Sequence, residues 1–531
     1  MNRIKTDQIG YAAKEKKVAV FPGVEHCAFL VMNVSTNDIV LRGTTGDKFF
    51  HQPSQEEVSI ADFSEIQAEG SYCIFSDDME PSYPFVIGEA AYFPVLIDLF
   101  RMYYLQRCGM RLKKEYAGIY AHACCHAGMA QIYGTNEKKE VNGGWHDAGD
   151  YGRYIVAAAV AVSDLLLAWQ ENRPLFERSY RIPNNSGLPD FLDEVKYEID
   201  WMLKMQDEKT GGVYHKVTCE KFPGFVMPEK ETEQLVISPI SATATADFAA
   251  TLALAYEVYK EFNRDFADKC LSAAKYAYQA LQKMPSEDGF HNPEGIVTGE
   301  YGDVCDVDER YWAAAQLYKA TGEECYHKDF KKLSKAKILH GFGWEDVGSF
   351  GNHAYLTCEY EVDETLWHII KKEVTGYGEQ ILYGCKEDAY AVSLKENYIW
   401  GSNMVVANQG LNLCEAYHYK KNPDFLQAAR EQIHYLFGKN PMDICYVTGA
   451  GSNSPKYPHH RPSAAMKKAM PGMLVGGPDK ELHDEKAVEL LQNTPPAKCY
   501  IDQLESYSTN EITIYWNAPL IYLLACVLKE N

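Results

Sequence analysis

No hydrophobic run in the 531-residue sequence reaches the length of a membrane-spanning helix. The start, Met1-Asn2-Arg3-Ile4-Lys5-Thr6-Asp7, lacks the apolar segment that directs export. Those two absences give the expectation of a cytoplasmic protein without a membrane partner. Basic residues are scarce: 52 Lys and Arg stand against 74 Asp and Glu, a formal net charge of −22. Nucleic acid and anionic lipid are thereby excluded, because both need concentrated positive charge, whereas a neutral or cationic saccharide is not. A disulfide framework is missing too. The 15 cysteines are odd in number and scattered, and they read as mostly free thiols in a reducing compartment.

What is present is enough material for two domains with ample cores: 46% hydrophobic residues and 13% aromatic, with 37 Tyr. High aromatic content serves packing first and is also compatible with stacking on sugar rings. Up to Gly88 the pattern is that of β structure. Short apolar runs (Val18–Phe21, Ala28–Met32, Ile39–Leu41, Gly70–Phe75) alternate with turn material such as Asn37-Asp38 and Gly43. After Tyr92 the apolar period becomes helical, over 96–107, 154–169, 190–205, 244–262, 265–283, 309–319, 363–371, 404–419, 424–437 and 512–528. Pro183 to Pro189 and Pro285 to Pro293 interrupt as loops. The expectation is an all-β domain over 1–88, a linker and first helix entry over 89–100, and an all-α domain over 101–531.

Chemistry concentrates in Gly143-Gly144-Trp145-His146-Asp147-Ala148-Gly149-Asp150-Tyr151-Gly152-Arg153-Tyr154. Asp147 and Asp150 stand three apart before an apolar run, so both can converge on one small volume at the mouth of a helix. An ionised, oriented carboxylate is what deprotonates a water; the alternative for Asp150 is a simple helix cap. Glycoside hydrolysis takes two carboxyl groups, one ionised and one protonated. A partner is available in Glu505-Ser506-Tyr507-Ser508-Thr509-Asn510-Glu511-Ile512-Thr513-Ile514-Tyr515-Trp516, where Glu511 precedes an apolar helix. Ser452 to Pro462 carries His459, His460 and Arg461, whose planar donors suit sugar hydroxyls and equally a basic surface turn. Cys108, Cys125, His126 and His146 are two thiols and two imidazoles of the kind tetrahedral Zn²⁺ takes, although the spacing is not that of a zinc finger and Cys124 competes with Cys125. Asp303-Val304-Cys305-Asp306-Val307-Asp308-Glu309 offers clustered oxygens before a helix, for Ca²⁺ or for nothing beyond an acidic helix start.

These segments, in this order, resemble the signatures of glycoside hydrolase family 9, whose best-known members are cellulases. Ile4 to Tyr11, Asp62-Phe63-Ser64 and Gly70-Ser71-Tyr72 are similar to the immunoglobulin-like domain preceding the catalytic domain in one branch. The resemblance implies an immunoglobulin-like sandwich followed by a six-hairpin (α/α)6 barrel. It implies that Asp150 is the general base, that Asp147 orients the attacking water, and that Glu511 is the general acid, its affinity for a proton raised by burial beside Trp516. His459 and Arg461 become donors to the sugar at the cleaved end. His215, in Tyr214-His215-Lys216-Val217-Thr218, and Trp400, in Trp400-Gly401-Ser402-Asn403, become further site candidates. Gln106-Arg107-Cys108-Gly109 and Cys125-His126 resemble the structural zinc site of that branch, and Asp308 and Glu309 match calcium-binding positions of several members. No organic cofactor is implied. An inverting enzyme must fit a water between base and sugar, which sets its carboxyls roughly 6.5–9.5 Å apart.

The functional expectation is an inverting glycosidase that cuts β-1,4-glucosidic bonds in imported short gluco-oligosaccharides and releases glucose from one end. Alternatives are an endo-acting cellulase, an exo-glucosaminidase acting on chitosan oligomers, and a carbohydrate-binding protein without catalysis. A zinc-dependent hydrolase working through His146 and Asp150 is the remaining reading. The sequence sets no oligomeric state.

Overall fold

The structure, a computed structural model, describes residues 2–530 except 185, 286–288 and 336–337. The loops expected over Pro183–Pro189 and Pro285–Pro293 therefore lie partly outside the described residues. Toward the N-terminus two sheets face each other. One orders Gly10–Tyr11, Phe85–Ile87, Gly70–Phe75, Ala28–Asn33 and Ile39–Thr44; the other orders Val18–Pro22, Glu56–Asp62 and Phe49–His51. Alternate residues of these strands, such as Ala19, Phe21, Phe29, Val31, Tyr72, Ile74, Phe85 and Ile87, point into one shared core. That is the geometry that a period of two imposes on a sandwich.

Twelve helices of nine or more residues follow among the described residues, and they alternate outer and inner. The inner six are Ile155–Glu171, Ala242–Tyr259, Val307–Thr321, Gly348–Leu356, Ser402–Lys420 and Ile514–Lys529. Ile155–Glu171 and Ile514–Lys529 are apolar nearly all round and buried over almost their whole length, so each needs neighbours on every side. Their contacts run round a ring from Ile155–Glu171 through Ala242–Tyr259 and Val307–Thr321 to Gly348–Leu356, and from Ser402–Lys420 through Ile514–Lys529 back to the start. Polar contacts close the remaining step: His353 Nδ1 lies 2.7 Å from Glu415 and Ser349 Oγ donates to Asn412 at 3.2 Å. This is an (α/α)6 barrel. Outer helices such as Arg264–Leu281 carry one apolar face only.

The ten helical stretches expected from periodicity fall on ten of these helices. Two were not legible. Glu324–Leu333 is short and charged, and Gly348–Leu356 (Gly-Ser-Phe-Gly-Asn-His-Ala-Tyr-Leu) is an inner helix whose small and polar residues blur the apolar stripe. No helix among the described residues is long and apolar enough to cross a membrane.

The sandwich is docked on the barrel through buried polar groups. Asp7 accepts from the amides of Ile9 at 2.7 Å and Gly10 at 2.9 Å and from Tyr92 OH at 3.2 Å, and it lies 2.9 Å from His434 Nδ1. Lys5 Nζ donates to Pro441 O at 2.8 Å, and Gln8 Oε1 accepts from the amides of Ser452 at 3.0 Å and Asn453 at 2.9 Å. Removing one member of a buried pair leaves the others desolvated and unpaired. Asp7→Ala is thus expected to destabilise the chain by about 3–5 kcal/mol, read as a lowered unfolding midpoint. A shift no larger than that of an exposed Asp→Ala control would refute the docking role.

Candidate active site

The helix Ile155–Glu171 does not begin at the aspartates. A two-residue strand, Arg153–Tyr154, intervenes and pairs with Lys216–Thr218, while the amide of Ile155 is taken by His215 O at 3.0 Å. Asp147 and Asp150 therefore sit in a turn rather than at a helix mouth, and Asp150 is not a helix cap. Inside this turn Asp147 N donates to Gly152 O at 2.9 Å and Gly152 N donates to Asp150 Oδ2 at 2.9 Å. The chain closes on itself and fixes both carboxyls relative to one another.

Asp147 is buried. Tyr301 OH donates to its Oδ2 at 2.6 Å, and its Oδ1 has no partner among the described residues. Burial pushes its proton affinity well above the usual carboxylate range, Asp150 beside it adds to the rise, and the Tyr301 bond opposes it. Tyr301 had no signal in the sequence. It lies 154 positions away with a left-handed backbone (φ 50°), a conformation uncommon for a residue with a bulky side chain. Its ring packs on Tyr154, Trp344 and Tyr515.

Glu511 follows a single helical turn, Tyr507–Asn510, and precedes the helix Ile514–Lys529, which Thr513 caps by accepting from Trp516 N at 3.2 Å. Glu511 is extended and outside both helices, held by backbone bonds: Gly476 N donates to Glu511 O at 2.9 Å and Glu511 bridges His459. Its Oε1 accepts from Gly149 N at 3.2 Å. Burial, then the charge of Asp150, raises its proton affinity to about 8, with Arg461 and the Gly149 bond opposing. A carboxyl held protonated at neutrality beside an ionisable aspartate is the pairing that general acid–base work requires.

Gly149 joins the two. Its amide meets Glu511, and its carbonyl accepts from Arg461 N at 3.0 Å and Nη1 at 2.8 Å. A Cβ at this position would stand 2.0 Å from His459 O and 3.0 Å from Glu511 Oε1, so only glycine fits. On the other side of the turn, Ile514 N donates to Asp147 O at 2.8 Å. Segments 361 positions apart, counted from Asp150 to Glu511, thus share direct backbone contacts.

The remaining site candidates divide. Arg461 is buried and fastens loops through two of its nitrogens: Nη1 holds Gly149 and Nε donates to Pro223 O at 3.0 Å. His459 gives Nδ1 to Leu504 O at 2.6 Å, and its other ring nitrogen makes no hydrogen bond among the described residues. Trp400 is 40% exposed and its ring packs on Tyr507 and His483. Trp516 is buried and lies against Gly401 and Gly476. His215 is enclosed, with Ser241 Oγ 2.9 Å from Nδ1, Glu300 O 3.1 Å from Nε2 and Phe290 stacked on the ring at 3.7 Å. Burial draws its proton affinity down to about 3, so it stays neutral and supports the strand rather than facing the cleft. Next to it Lys216 Nζ, drawn to about 7 by burial against the pull of Asp150 and Glu300, donates to Gly299 O at 2.6 Å.

Cys108, Cys125, His126 and His146, all buried, come together. Their ligand atoms lie within 4.8 Å of one another, and among the described residues they are the one cluster of three or more such ligands. His146 Nε2 is 3.3 Å from His126 Nδ1, Cys108 Sγ is 3.6 Å from His126 Nδ1, and Cys125 Sγ is 3.9 Å from His146 Nε2. Bonds of about 2.3 Å to sulfur and 2.0–2.1 Å to nitrogen would put tetrahedral ligand atoms roughly 3.3–3.8 Å apart, so the set fits Zn²⁺ by distance as well as by donor chemistry. Cys124 is exposed and bonds Gly109 O at 3.2 Å, outside the set. Burial works against ionising Cys108, yet a bond from Cys125 and the charges of Arg153 and His146 outweigh it and bring that thiol well below its ordinary range. Glu231 Oε2 stands 2.9 Å from His126 Nε2, the side from which a carboxylate would orient that imidazole if it held a metal.

The calcium candidates do not form a comparable grouping. Asp308 accepts from Val347 N at 2.9 Å, and Glu309 is fully buried with neither oxygen bonded. Burial first raises both Glu309 and Asp247 well above the carboxylate range; the charges of Asp247, Asp308 and Asp303 add to the rise of Glu309, and those of Asp308 and Asp303 to the rise of Asp247.

Residues 92–524 match the family described as glycosyl hydrolase family 9, and residues 1–81 match the cellulase N-terminal ig-like domain. A cellodextrinase of Butyrivibrio fibrisolvens is 37% identical to the chain over 562 residues, spanning 100% of both. A single mutant of a thermostable endoglucanase from Alicyclobacillus acidocaldarius superposes with a TM-score of 0.94 at 35% identity, again spanning 100% of both chains. A zinc-binding triple mutant of a family 9 endoglucanase superposes with a TM-score of 0.93 at 32% identity over 98% of this chain and 100% of that one.

Two outcomes test the geometry. Activity that needs Glu511 protonated holds at lower pH and falls as pH rises through about 8. Glu511→Gln should cost on the order of 10²–10⁴ in kcat/KM and remove that alkaline limb; a limb that survives in the variant assigns it to another group. Gly149→Ala should lower kcat at least as far and lower the unfolding midpoint as well, because the added carbon meets the backbone oxygen of His459 and crowds the acid. An active Ala variant would mean that the two carboxyls are positioned by other contacts.

Proposed function

We propose that this chain, which belongs to glycosyl hydrolase family 9, cuts β-1,4-glucosidic bonds in short gluco-oligosaccharides with inversion and releases glucose from one end. It is a glycoside hydrolase. The observation that carries the reading is the Gly149 joint, which holds Asp150 and a protonated Glu511 at one site. Glu511 gives its proton to the glycosidic oxygen as the bond from that oxygen to the anomeric carbon breaks. A water forms the new bond from the opposite face while Asp150 takes its proton. The open Oδ1 of Asp147, with Oδ2 fixed by Tyr301, is placed to orient that water. Asp150 then loses its proton to solvent and Glu511 regains one.

Support for short, soluble substrates comes from the full-length likeness to a cellodextrinase. The 15 cysteines are all free, which accords with a reducing, cytoplasmic setting. An endo-acting reading is favoured by the likeness to an endoglucanase over the whole chain. Incubation with cellobiose, cellotriose, cellotetraose and chitosan oligomers, followed by NMR, separates them. The expected products are α-glucose first and a substrate one ring shorter. Cellobiose as the first product from cellotetraose would overturn the release of single glucose units, and an initial β-anomer would overturn inversion.

The four-ligand cluster is proposed to hold structural zinc. Four protein ligands leave no position open for water or substrate, so the ion would supply cohesion between the turn at His146 and the segments at Cys108 and Cys125, and no chemistry to the sugar. Prolonged chelation should lower the unfolding midpoint in step with activity, and elemental analysis should find about one zinc per chain. Activity lost from a protein of unchanged midpoint would instead support a catalytic metal.

A further inference from the structure

One buried cation beside the site has no part in the mechanism so far. Lys216 is fully buried, and its ammonium donates to neutral oxygens: Gly299 O at 2.6 Å, Thr298 Oγ1 at 3.1 Å and Thr298 O at 3.4 Å. Lysine is rarely enclosed unless paired with a carboxylate, because an ammonium is costly to desolvate. An apolar side chain would fill the same space at lower cost. Burial lowers the proton affinity of Lys216 to about 7, and the charges of Asp150 and then Glu300 oppose the fall.

Its strand, Lys216–Thr218, joins two parts of the base side. Along one edge Lys216 pairs with Tyr154 and Val217 with Arg153, the residues that follow the Asp150 turn. Side chains of the same segment reach the loop over 298–301. His215 Nε2 is 3.1 Å from Glu300 O and Thr218 Oγ1 is 2.9 Å from Thr298 Oγ1, with Lys216 between them. That loop belongs to no helix or strand, and it carries Tyr301, whose hydroxyl holds Asp147. Lys216 Nζ also lies 5.5 Å from the ring of Tyr154. The ring extends to the base: a Cβ on Gly152 would stand 2.6 Å from Tyr154 OH and 2.8 Å from Asp150 Oδ2, so both crowd one glycine.

We infer that Lys216 is a positioning residue of the catalytic turn: its ammonium seats the loop that brings Tyr301 onto Asp147, and it supplies the positive charge on the side of the base. The inference rests on the glycosidase reading above, in which Asp150 is that base. Arg461 is the cation that acts on Glu511, whereas Lys216 is drawn to Asp150. Asp150 also acts on Asp147, Glu511, Tyr154 and His459; of these only His459 can become positive, and burial works against it. In the acid range where carboxylates take up protons, Lys216 is charged, being below its value of about 7. A cation there favours the ionised carboxylate, so its removal moves the acid limb of activity to higher pH.

Lys216→Met and Lys216→Gln remove the charge, while Lys216→Arg keeps it. For each, kcat and KM on cellotetraose are followed against pH beside the unaltered protein. In the neutral variants the acid limb should rise by about one unit. Their kcat at the optimum should fall about ten- to a hundredfold, with KM little changed, because Lys216 is closed off from solvent. Lys216→Arg should keep the limb of the unaltered protein. An acid limb unmoved in whichever neutral variant folds would overturn the inference, since Lys216 would then merely fill space. An equal rise in Lys216→Arg would overturn it too, because charge would not be the cause. An unaltered protein without activity on β-linked glucans overturns the glycosidase reading and this inference together. An active one whose neutral variants keep its limb overturns this inference alone.

Discussion

The peptide at Gly149 is the constraint on which the site depends. Its N–H supports the carboxyl of Glu511 and its C=O takes two bonds from Arg461, while the missing side chain lets the His459 carbonyl close on it. Apart from this joint, the turn bearing Asp150 meets the segment bearing Glu511 through the bond from Ile514 N to Asp147 O, which does not reach the acid's carboxyl. With the joint, the aspartate bears on the acid: the negative charge of Asp150 is the second cause, after burial, of Glu511 keeping its proton.

Rigidity reaches this joint from behind. Cys108 N donates to Gly144 O and His146 N to Gln106 O, both at 2.7 Å, so the segment carrying Cys108 is laced to the turn that carries His146. Gln106 Nε2 reaches on to His146 O at 3.2 Å and Ala148 O at 3.1 Å, and its Oε1 meets His460 Nε2 at 3.0 Å. Arg153 Nη1 adds bonds to Val141 O at 2.6 Å and Gly143 O at 2.8 Å. A metal in the four-ligand cluster would tighten a turn that already has few free backbone groups. This fits a structural role, because a water placed for in-line attack tolerates little displacement of the base.

Much of the site was legible because its parts lie in short, dense segments. Asp147, Asp150 and Glu511 each stand in a dense segment, and the apolar period of five of the six inner helices marks the barrel. What sequence could not give are the pairings made across the fold. Tyr301 reaches Asp147 from a loop with no periodicity, and Glu231 meets His126 from another. His215, a site candidate by resemblance, is enclosed beside the strand Lys216–Thr218, and Arg461, a candidate sugar donor, gives Nη1 and Nε to the backbone of Gly149 and Pro223. The helix expected over 154–169 does start at Ile155, but the strand pairing of Arg153–Tyr154 separates it from the two aspartates, a long-range contact that local propensity does not encode.

The N-terminal sandwich contributes no acid, base or ligand, yet it is tied to the catalytic segments. Lys5 and Gln8 bond the backbone of Pro441, Asp443, Ser452 and Asn453, the stretch that leads into His459 and Arg461. Beneath them Asp7 and Glu15 flank His434, at 2.9 Å and 3.6 Å, on an outer helix of the barrel. Charges buried in this way tolerate only the partner that completes them, since either half alone would leave ionisable groups desolvated or newly exposed. The sandwich therefore acts as a fixed part of the wall behind the histidine segment. Through that segment it bears on Gly149, because the carbonyl that closes on the glycine belongs to His459.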